Sequence, residues 1–190
     1  MTFPVARRPN DLPTMTKALF LDRDGTLILD KVYLADPAGV ELLPGAADAL
    51  TLARTRGYKL FLFTNQSGIG RGLHTLEDTR KVNTRMEQLI GLPAPVFSGV
   101  CIAPEAPDQP VVYRKPSPRF ILEMIAEHRL DPAQCWMVGD SAADIGAGLA
   151  AHVKVAAVRT GKVDPTSLPD VIAHKIPVFS NIGEFANTLP

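Results

Sequence analysis

The chain has 190 residues, 46% of them hydrophobic and 21% charged, the make-up of an ordinary single globular domain. Its 20 basic and 20 acidic side chains cancel, so bulk charge gives no argument for nucleic acid or a membrane surface as partner. No run of about 18 apolar residues is present to span a membrane, and the opening residues lack the apolar core of a secretory signal.

In chain order, residues 1–16 carry Pro4, Pro9 and Pro13 and read as a loosely held arm, with Met15 as an alternative start. Residues 17–190 read as one domain. Ala18-Leu19-Phe20-Leu21 is a strand buried on both faces, and it runs straight into Asp22-Arg23-Asp24-Gly25. Alternation along a strand would set both carboxylates on one side of its mouth. A loop over residues 28–40 crosses that mouth. Pro44-Gly45 opens a helix that ends near Gly57, and a second buried strand, 58–63, stops at Thr64-Asn65-Gln66-Ser67-Gly68, a polar turn. Thr75, with Asp78 behind it, caps a helix to about Ile90.

A third strand is expected over 96–103 and a proline-rich loop over 104–110. Arg114-Lys115-Pro116 follows, then a helix capped by Ser117-Pro118 that runs to about Arg129. A fourth strand, 135–139, ends at Asp140. A small-residue helix over 142–151 contains Asp144, and a fifth strand spans 153–158. A short strand is expected at 171–173, and a last helix at 180–187. Strands alternating with helices imply a three-layer α/β sandwich: a mostly parallel, doubly wound, Rossmann-like sheet without a large cap domain. Cys101 and Cys135, far apart in apolar settings, read as buried inert thiols, in keeping with a reducing cytoplasm. His74, His128, His152 and His174 lack ligand spacing and receive no role.

In a parallel sheet the polar strand ends share one edge, where ligands bind. Asp22, Asp24 and Asp140 suit a hard cation such as Mg²⁺, and Lys115 and Thr64 suit a phosphate. A carboxylate that attacks a phosphate must overcome like charge. Unit charges about 4 Å apart interact by about 4 kcal/mol at an effective dielectric near 20, and a dianion doubles this. A cation and a lysine reverse that field, as phosphoryl transfer requires.

Asp-Arg-Asp-Gly-Thr-Leu, Thr-Asn-Gln-Ser, Arg-Lys-Pro and Val-Gly-Asp-Ser-Ala-Ala-Asp, in this order over about 17–160, resemble the haloacid dehalogenase-like superfamily. That resemblance implies Asp22 as nucleophile through an aspartyl-phosphate and Asp24 as general acid and base. It implies Mg²⁺ held by Asp22, the Asp24 carbonyl and Asp140, a phosphoryl group held by Thr64 and Lys115, and Asp144 orienting the site. A finer resemblance is to the small, capless branch with the D-glycero-D-manno-heptose 1,7-bisphosphate and histidinol-phosphate phosphatases. It implies substrate contacts at Asp30, Tyr33, Asn65, Gln66, Ser67 and Arg114, and a small phosphorylated metabolite as partner. The sugar bisphosphate is favoured over histidinol phosphate, with Arg114 and the Arg71 loop supplying charge for a second phosphate. A monomer is favoured.

That branch carries a zinc loop, but its ligand positions here are Ala103, Glu105, Val111 and Tyr113, so no structural zinc is expected. Pro104, Pro107 and Pro110 are expected to stiffen the loop instead. A phospho-acceptor signalling module shares aspartates, Mg²⁺, a hydroxyl and a lysine. Asp22-Arg23-Asp24, with acid–base capacity two residues from the nucleophile, favours turnover over that alternative.

Overall fold

A computed structural model describes residues 16–190. The arm expected over 1–16, Met15 included, lies outside them except for Thr16. The strands are β1 (Thr16–Leu21), β2 (Lys59–Asn65), β3 (Gly99–Ala103), β4 (Leu130–Gly139), β5 (Lys154–Val158) and β6 (Val178–Phe179). The helices are α1 (Ala46–Thr55), α2 (Ser67–Gly70), α3 (Leu76–Ile90), α4 (Arg119–His128), α5 (Ala142–Ala150), α6 (Pro169–His174) and α7 (Ile182–Thr188).

The six strands form one sheet in the order β3-β2-β1-β4-β5-β6, with every pairing parallel. The period-2 geometry of the apolar runs divides the interior. Leu19, Leu21, Leu60, Leu62 and Val138 enter one core, where they meet residues of α1, α3 and α7. Ala18, Phe20, Phe61, Phe63 and Met137 enter the other, with Phe120 of α4 and Ala147 of α5. Runs with no polar residue are therefore what a strand covered on both faces needs. The Phe20 and Phe61 rings stack at 4.9 Å, and Phe120 meets Phe20 edge-on at 6.1 Å.

α3 shows how the local sequence sets an element. Thr75 and Asp78 form a reciprocal capping box at its start, worth about 1 kcal/mol. Its buried positions, Thr79, Val82, Asn83, Met86 and Ile90, fall on one stripe at helical spacing. Asn83 is the polar residue in that stripe that looks toward the sheet's business end.

Two expectations are corrected. The short strand expected at 171–173 is helix α6, which Pro169 opens and along which Val171 packs against Ile145 and Ile176. The edge strand comes later, where Val178 and Phe179 pair with Ala157 and Val158. The polar turn after β2 also includes a one-turn helix, α2. Ser117 caps α4 as expected: its hydroxyl oxygen accepts from Arg119 N at 3.4 Å and its proton goes to the Val112 carbonyl at 3.1 Å, while Pro118 already has helical backbone angles. Cys101 and Cys135 are both free and buried, and burial pushes their thiols up to about 12 and about 11. Among the described residues, no helix is long and apolar enough to cross a membrane.

Candidate active site

All strands run the same way, so their C-terminal ends share one edge of the sheet. Asp22 follows β1, Thr64 is the last residue but one of β2, Asp140 follows β4, and Lys115 arrives on the segment between β3 and α4. At the centre lies the Lys115 ammonium, almost wholly buried. It donates to Asp22 Oδ1 at 2.6 Å, to the Phe63 carbonyl at 2.7 Å and to Asp144 Oδ1 at 2.5 Å, which uses all three of its protons. Burial alone would push this ammonium down, but the charges of Asp144 and Asp22 outweigh it and hold the group above the usual lysine value. The segment is held independently by Asn65, whose Oδ1 accepts from Lys115 N at 2.9 Å and whose Nδ2 donates to Lys115 O at 3.2 Å.

Asp22, Asp140 and Asp144 each bring a carboxylate oxygen within 4.8 Å of the other two. Burial pushes Asp22 well above the usual carboxylate range. Lys115 offsets part of this, and Asp144, Asp140 and Asp24 push it further up. Burial and the charge of Asp144 push Asp140 up to about 7. The other oxygen of Asp144 is taken by the cap of α5, accepting from Ser141 N at 3.0 Å and Ser141 Oγ at 2.6 Å. Fully ionised, the three carboxylates against one ammonium would leave two negative charges, a set that a divalent cation would balance. Two glycines make room around Asp140. A Cβ at Gly25, which has φ +79°, would lie 2.8 Å from Asp140 Oδ2, and one at Gly161 would fall inside the same carboxylate.

Asp24 points elsewhere, contrary to the alternation expected, because β1 ends at Leu21 and the chain turns at Gly25. Its carboxylate accepts from Arg23 Nε at 3.0 Å and Nη2 at 3.2 Å, and from Gln66 Nε2 at 2.9 Å. Gln66 Nε2 also donates to Thr64 Oγ1 at 2.8 Å, which leaves the threonine hydroxyl proton free to donate. Arg23 is fully buried, and its Nη1 donates to Asn83 Oδ1 at 2.9 Å. The two aspartates thus have separate surroundings. One lies beside a lysine among carboxylates, and the other is clamped by an arginine and an amide.

A pocket of about 230 Å³ opens beside Asp24, walled by Asp30, Tyr33, Asn65, Gln66 and Ser67, with Arg23, Val32 and Lys162. Five of the six expected substrate contacts therefore meet, whereas Arg114 is absent from this wall and its Nη1 donates to the Glu105 carbonyl at 3.2 Å. Arg71 is exposed and also stands off it. A larger groove, about 560 Å³, lies between α3 and the edge strand β3. It holds no residue from the strand ends around Lys115, whereas the smaller pocket is walled by Asp24, Asn65 and Gln66 beside them, so the smaller pocket is the candidate site. Sequence reasoning missed Arg23, Asn83, Lys162 and Gly161. Lys162 reaches from the loop after β5 to Asp30 Oδ2 at 2.6 Å. Burial would raise Asp30, but Lys162 and the Val32 N–H hold it below the usual range. A polar residue in the buried stripe of α3 was the available signal for Asn83, and nothing local marked Lys162.

A parallel α/β sheet with a buried lysine bridging carboxylates at its strand ends has the layout of a hydrolase for phosphate esters. A HAD-hydrolase-like family model matches residues 112–185. The D-glycero-beta-D-manno-heptose-1,7-bisphosphate 7-phosphatase of Helicobacter pylori (strain ATCC 700392 / 26695) is 39% identical over 139 residues, 73% of this chain and 80% of the relative. The enzyme of the same name from Haemophilus influenzae is 37% identical over 155 residues, 78% of this chain and 84% of the relative. A solved D,D-heptose 1,7-bisphosphate phosphatase from B. bronchiseptica, complexed with magnesium and phosphate, gives a TM-score of 0.79 at 26% identity, covering 92% of this chain and 98% of that one. The chain belongs to the haloacid dehalogenase-like superfamily, within its heptose bisphosphate phosphatase family, and is a phosphatase.

Proposed function

We propose that this phosphatase removes the 7-phosphate of D-glycero-D-manno-heptose 1,7-bisphosphate with Mg²⁺ as cofactor, through an aspartyl-phosphate on Asp22. The observation that carries this reading is the buried Lys115 bridge at the mouth of the sheet, with Asp140 beside it and Asp24 held apart. Mg²⁺ would be held by Asp22, Asp140 and the Asp24 carbonyl, and the two unbalanced negative charges fit it. When bound, it supplies positive charge for the oxygens of the transferring phosphoryl group.

The chain's own groups divide the work. Asp22 attacks phosphorus, and the bond to the sugar oxygen breaks. Asp24 gives that oxygen its proton and then takes one from the water that cleaves the aspartyl-phosphate. The Arg23 fork and the Gln66 amide support this by fixing the Asp24 carboxylate. The Thr64 hydroxyl, whose proton is free, donates to a phosphoryl oxygen, Lys115 exchanges its bond to Asp22 for one to the phosphoryl group as Asp22 attacks, and Asp144 keeps Lys115 oriented. Asp30, Tyr33, Asn65, Gln66, Ser67 and Arg114 contact the sugar and its second phosphate. Residues 17–190 act as one catalytic domain, as a monomer in the cytoplasm.

Phosphate release across a panel tests the reading, with the heptose bisphosphate, histidinol phosphate and simple sugar monophosphates assayed with and without Mg²⁺. The heptose bisphosphate should show the highest kcat/KM, and only with the metal present. Faster turnover of histidinol phosphate would reverse the substrate choice, and full activity in a chelator would remove the metal.

A further inference from the structure

The segment over 104–113 leads from β3 to the Lys115 turn. The resemblance puts zinc ligands at Ala103, Glu105, Val111 and Tyr113, and of these only Glu105 is a side chain that binds metals well. In the structure Glu105 reaches back across the loop. Its Oε1 accepts the N–H groups of Val112 at 3.0 Å, Tyr113 at 2.6 Å and Arg114 at 3.3 Å. Its backbone carbonyl accepts Arg114 Nη1 at 3.2 Å. One residue on the outgoing limb thereby binds three successive amides and one guanidinium on the returning limb. A row of N–H groups around one carboxylate oxygen is a charge-assisted anion nest, stronger than the same bonds to a neutral acceptor. Burial would raise the Glu105 carboxyl, but the N–H groups of Tyr113, Val112 and Arg114 prevail and hold it below the usual range. It is ionised at neutral pH, as a clamp of this kind needs.

We propose that Glu105 is a positioning residue for Arg114: its carboxylate closes the 104–113 loop where relatives use a metal, and so keeps Arg114, the neighbour of the Lys115 backbone that the pocket residue Asn65 grips, at the rim of the pocket for the second phosphate of the substrate. The inference rests on the bisphosphate reading above. Lys115 does not depend on the clamp, because Asn65 binds both its backbone groups and the buried carboxylates hold its ammonium. The clamp therefore governs substrate binding and leaves the chemical step alone. The ionised side chain staples the loop, in addition to the stiffening by prolines expected from sequence.

Glu105→Ala and Glu105→Gln in the full chain test this, with Mg²⁺, on the heptose bisphosphate and on p-nitrophenyl phosphate, which has no second phosphate. In Glu105→Ala, KM for the bisphosphate should rise by about 10- to 100-fold with kcat within about twofold, as expected for lost binding that does not change the chemical step. Glu105→Gln, which keeps an acceptor but loses the charge, should fall between. Turnover of p-nitrophenyl phosphate should stay within about twofold for both. Hydrogen exchange should show lost protection at the amides of Val112, Tyr113 and Arg114, and metal analysis of the wild-type chain should show no stoichiometric zinc.

Unchanged amide protection would overturn the clamp, whatever the substrate proves to be. Lost protection with an unchanged KM would overturn the placement of Arg114, as would equal losses on both substrates. Stoichiometric zinc would overturn the replacement of metal by carboxylate. A wild-type chain that ignores the bisphosphate would instead overturn the substrate reading, and the exchange data would then decide the clamp alone.

Discussion

Replacing Lys115 with Met keeps the length and apolar bulk of the side chain and removes its charge. The ammonium lies 2.6 Å from Asp22 and 2.5 Å from Asp144, with 2% of its side chain exposed. Removing one partner of a buried ion pair costs about 3–5 kcal/mol, because the other is left charged and unpaired. Here two carboxylates lose the same cation, so Lys115→Met should lose at least the lower end of that range at pH 8 without metal. Out of a typical total of about 5–15 kcal/mol, such a loss is easily read.

The pH dependence follows from the raised carboxyl values of Asp22 and Asp140. Without Lys115 these values rise further, so as pH falls from 8 the folded variant takes up more protons than the folded wild type, while their unfolded chains do not differ at these groups. The deficit of the variant should therefore shrink as pH falls from 8 to 5.5. Urea unfolding in a chelator at both pH values measures it. Initial rates should fall by at least about 10²–10³, the cost of one lost oxyanion donor. A variant as stable as the wild type at pH 8, or a deficit that grows on acidification, would refute the reasoning.

Asn83→Leu should leave Arg23 Nη1 buried without an acceptor. The expected cost is about 1–3 kcal/mol in urea unfolding, with kcat falling more than KM rises because Asp24 loosens. An unchanged kcat would show that Arg23 needs no support from α3. Gly161→Ala drives a methyl into the Asp140 carboxylate, so the Mg²⁺ concentration for half-maximal activity should rise by about 10- to 100-fold, and an unchanged titration would contradict the close approach. Because Asp140 is pushed up to about 7, metal must displace a proton below that pH. The gain in Tm on adding Mg²⁺ should be larger at pH 8 than at pH 6, and an equal gain by differential scanning fluorimetry would count against Asp140 as a ligand.

The frame of this fold was legible because each central strand is an apolar run, and each run ends where a polar residue stands. Asp22, Thr64 and Asp140 could be picked out for that reason: a carboxylate or hydroxyl directly behind a buried strand needs a partner. The strand misread at 171–173 shows the limit. Val171 and Ile172 favour a strand locally, yet Pro169 and the packing of Val171 against Ile145 make it a helix. Arg23 was passed over because an arginine between two aspartates reads as a solvated charge. Only the path of α3 brings Asn83 to it. Lys162 and Gly161 sit in a loop without local signal, and they reach the site because β5 lies beside β4. Glu105 was noticed only as a missing ligand. Its bonds to three amides depend on a loop conformation that no periodicity encodes.

The central claim is that Asp22 carries the phosphoryl group while Asp24 handles protons. An Asp24→Asn variant given p-nitrophenyl phosphate, whose leaving group needs no proton, should still form the covalent species but should not let water cleave it. Mixed with that ester and Mg²⁺, quenched in acid and digested, it should yield one phosphoryl group on the peptide that contains Asp22. A phosphoryl group on another residue, or none while substrate is still turned over, would contradict the account.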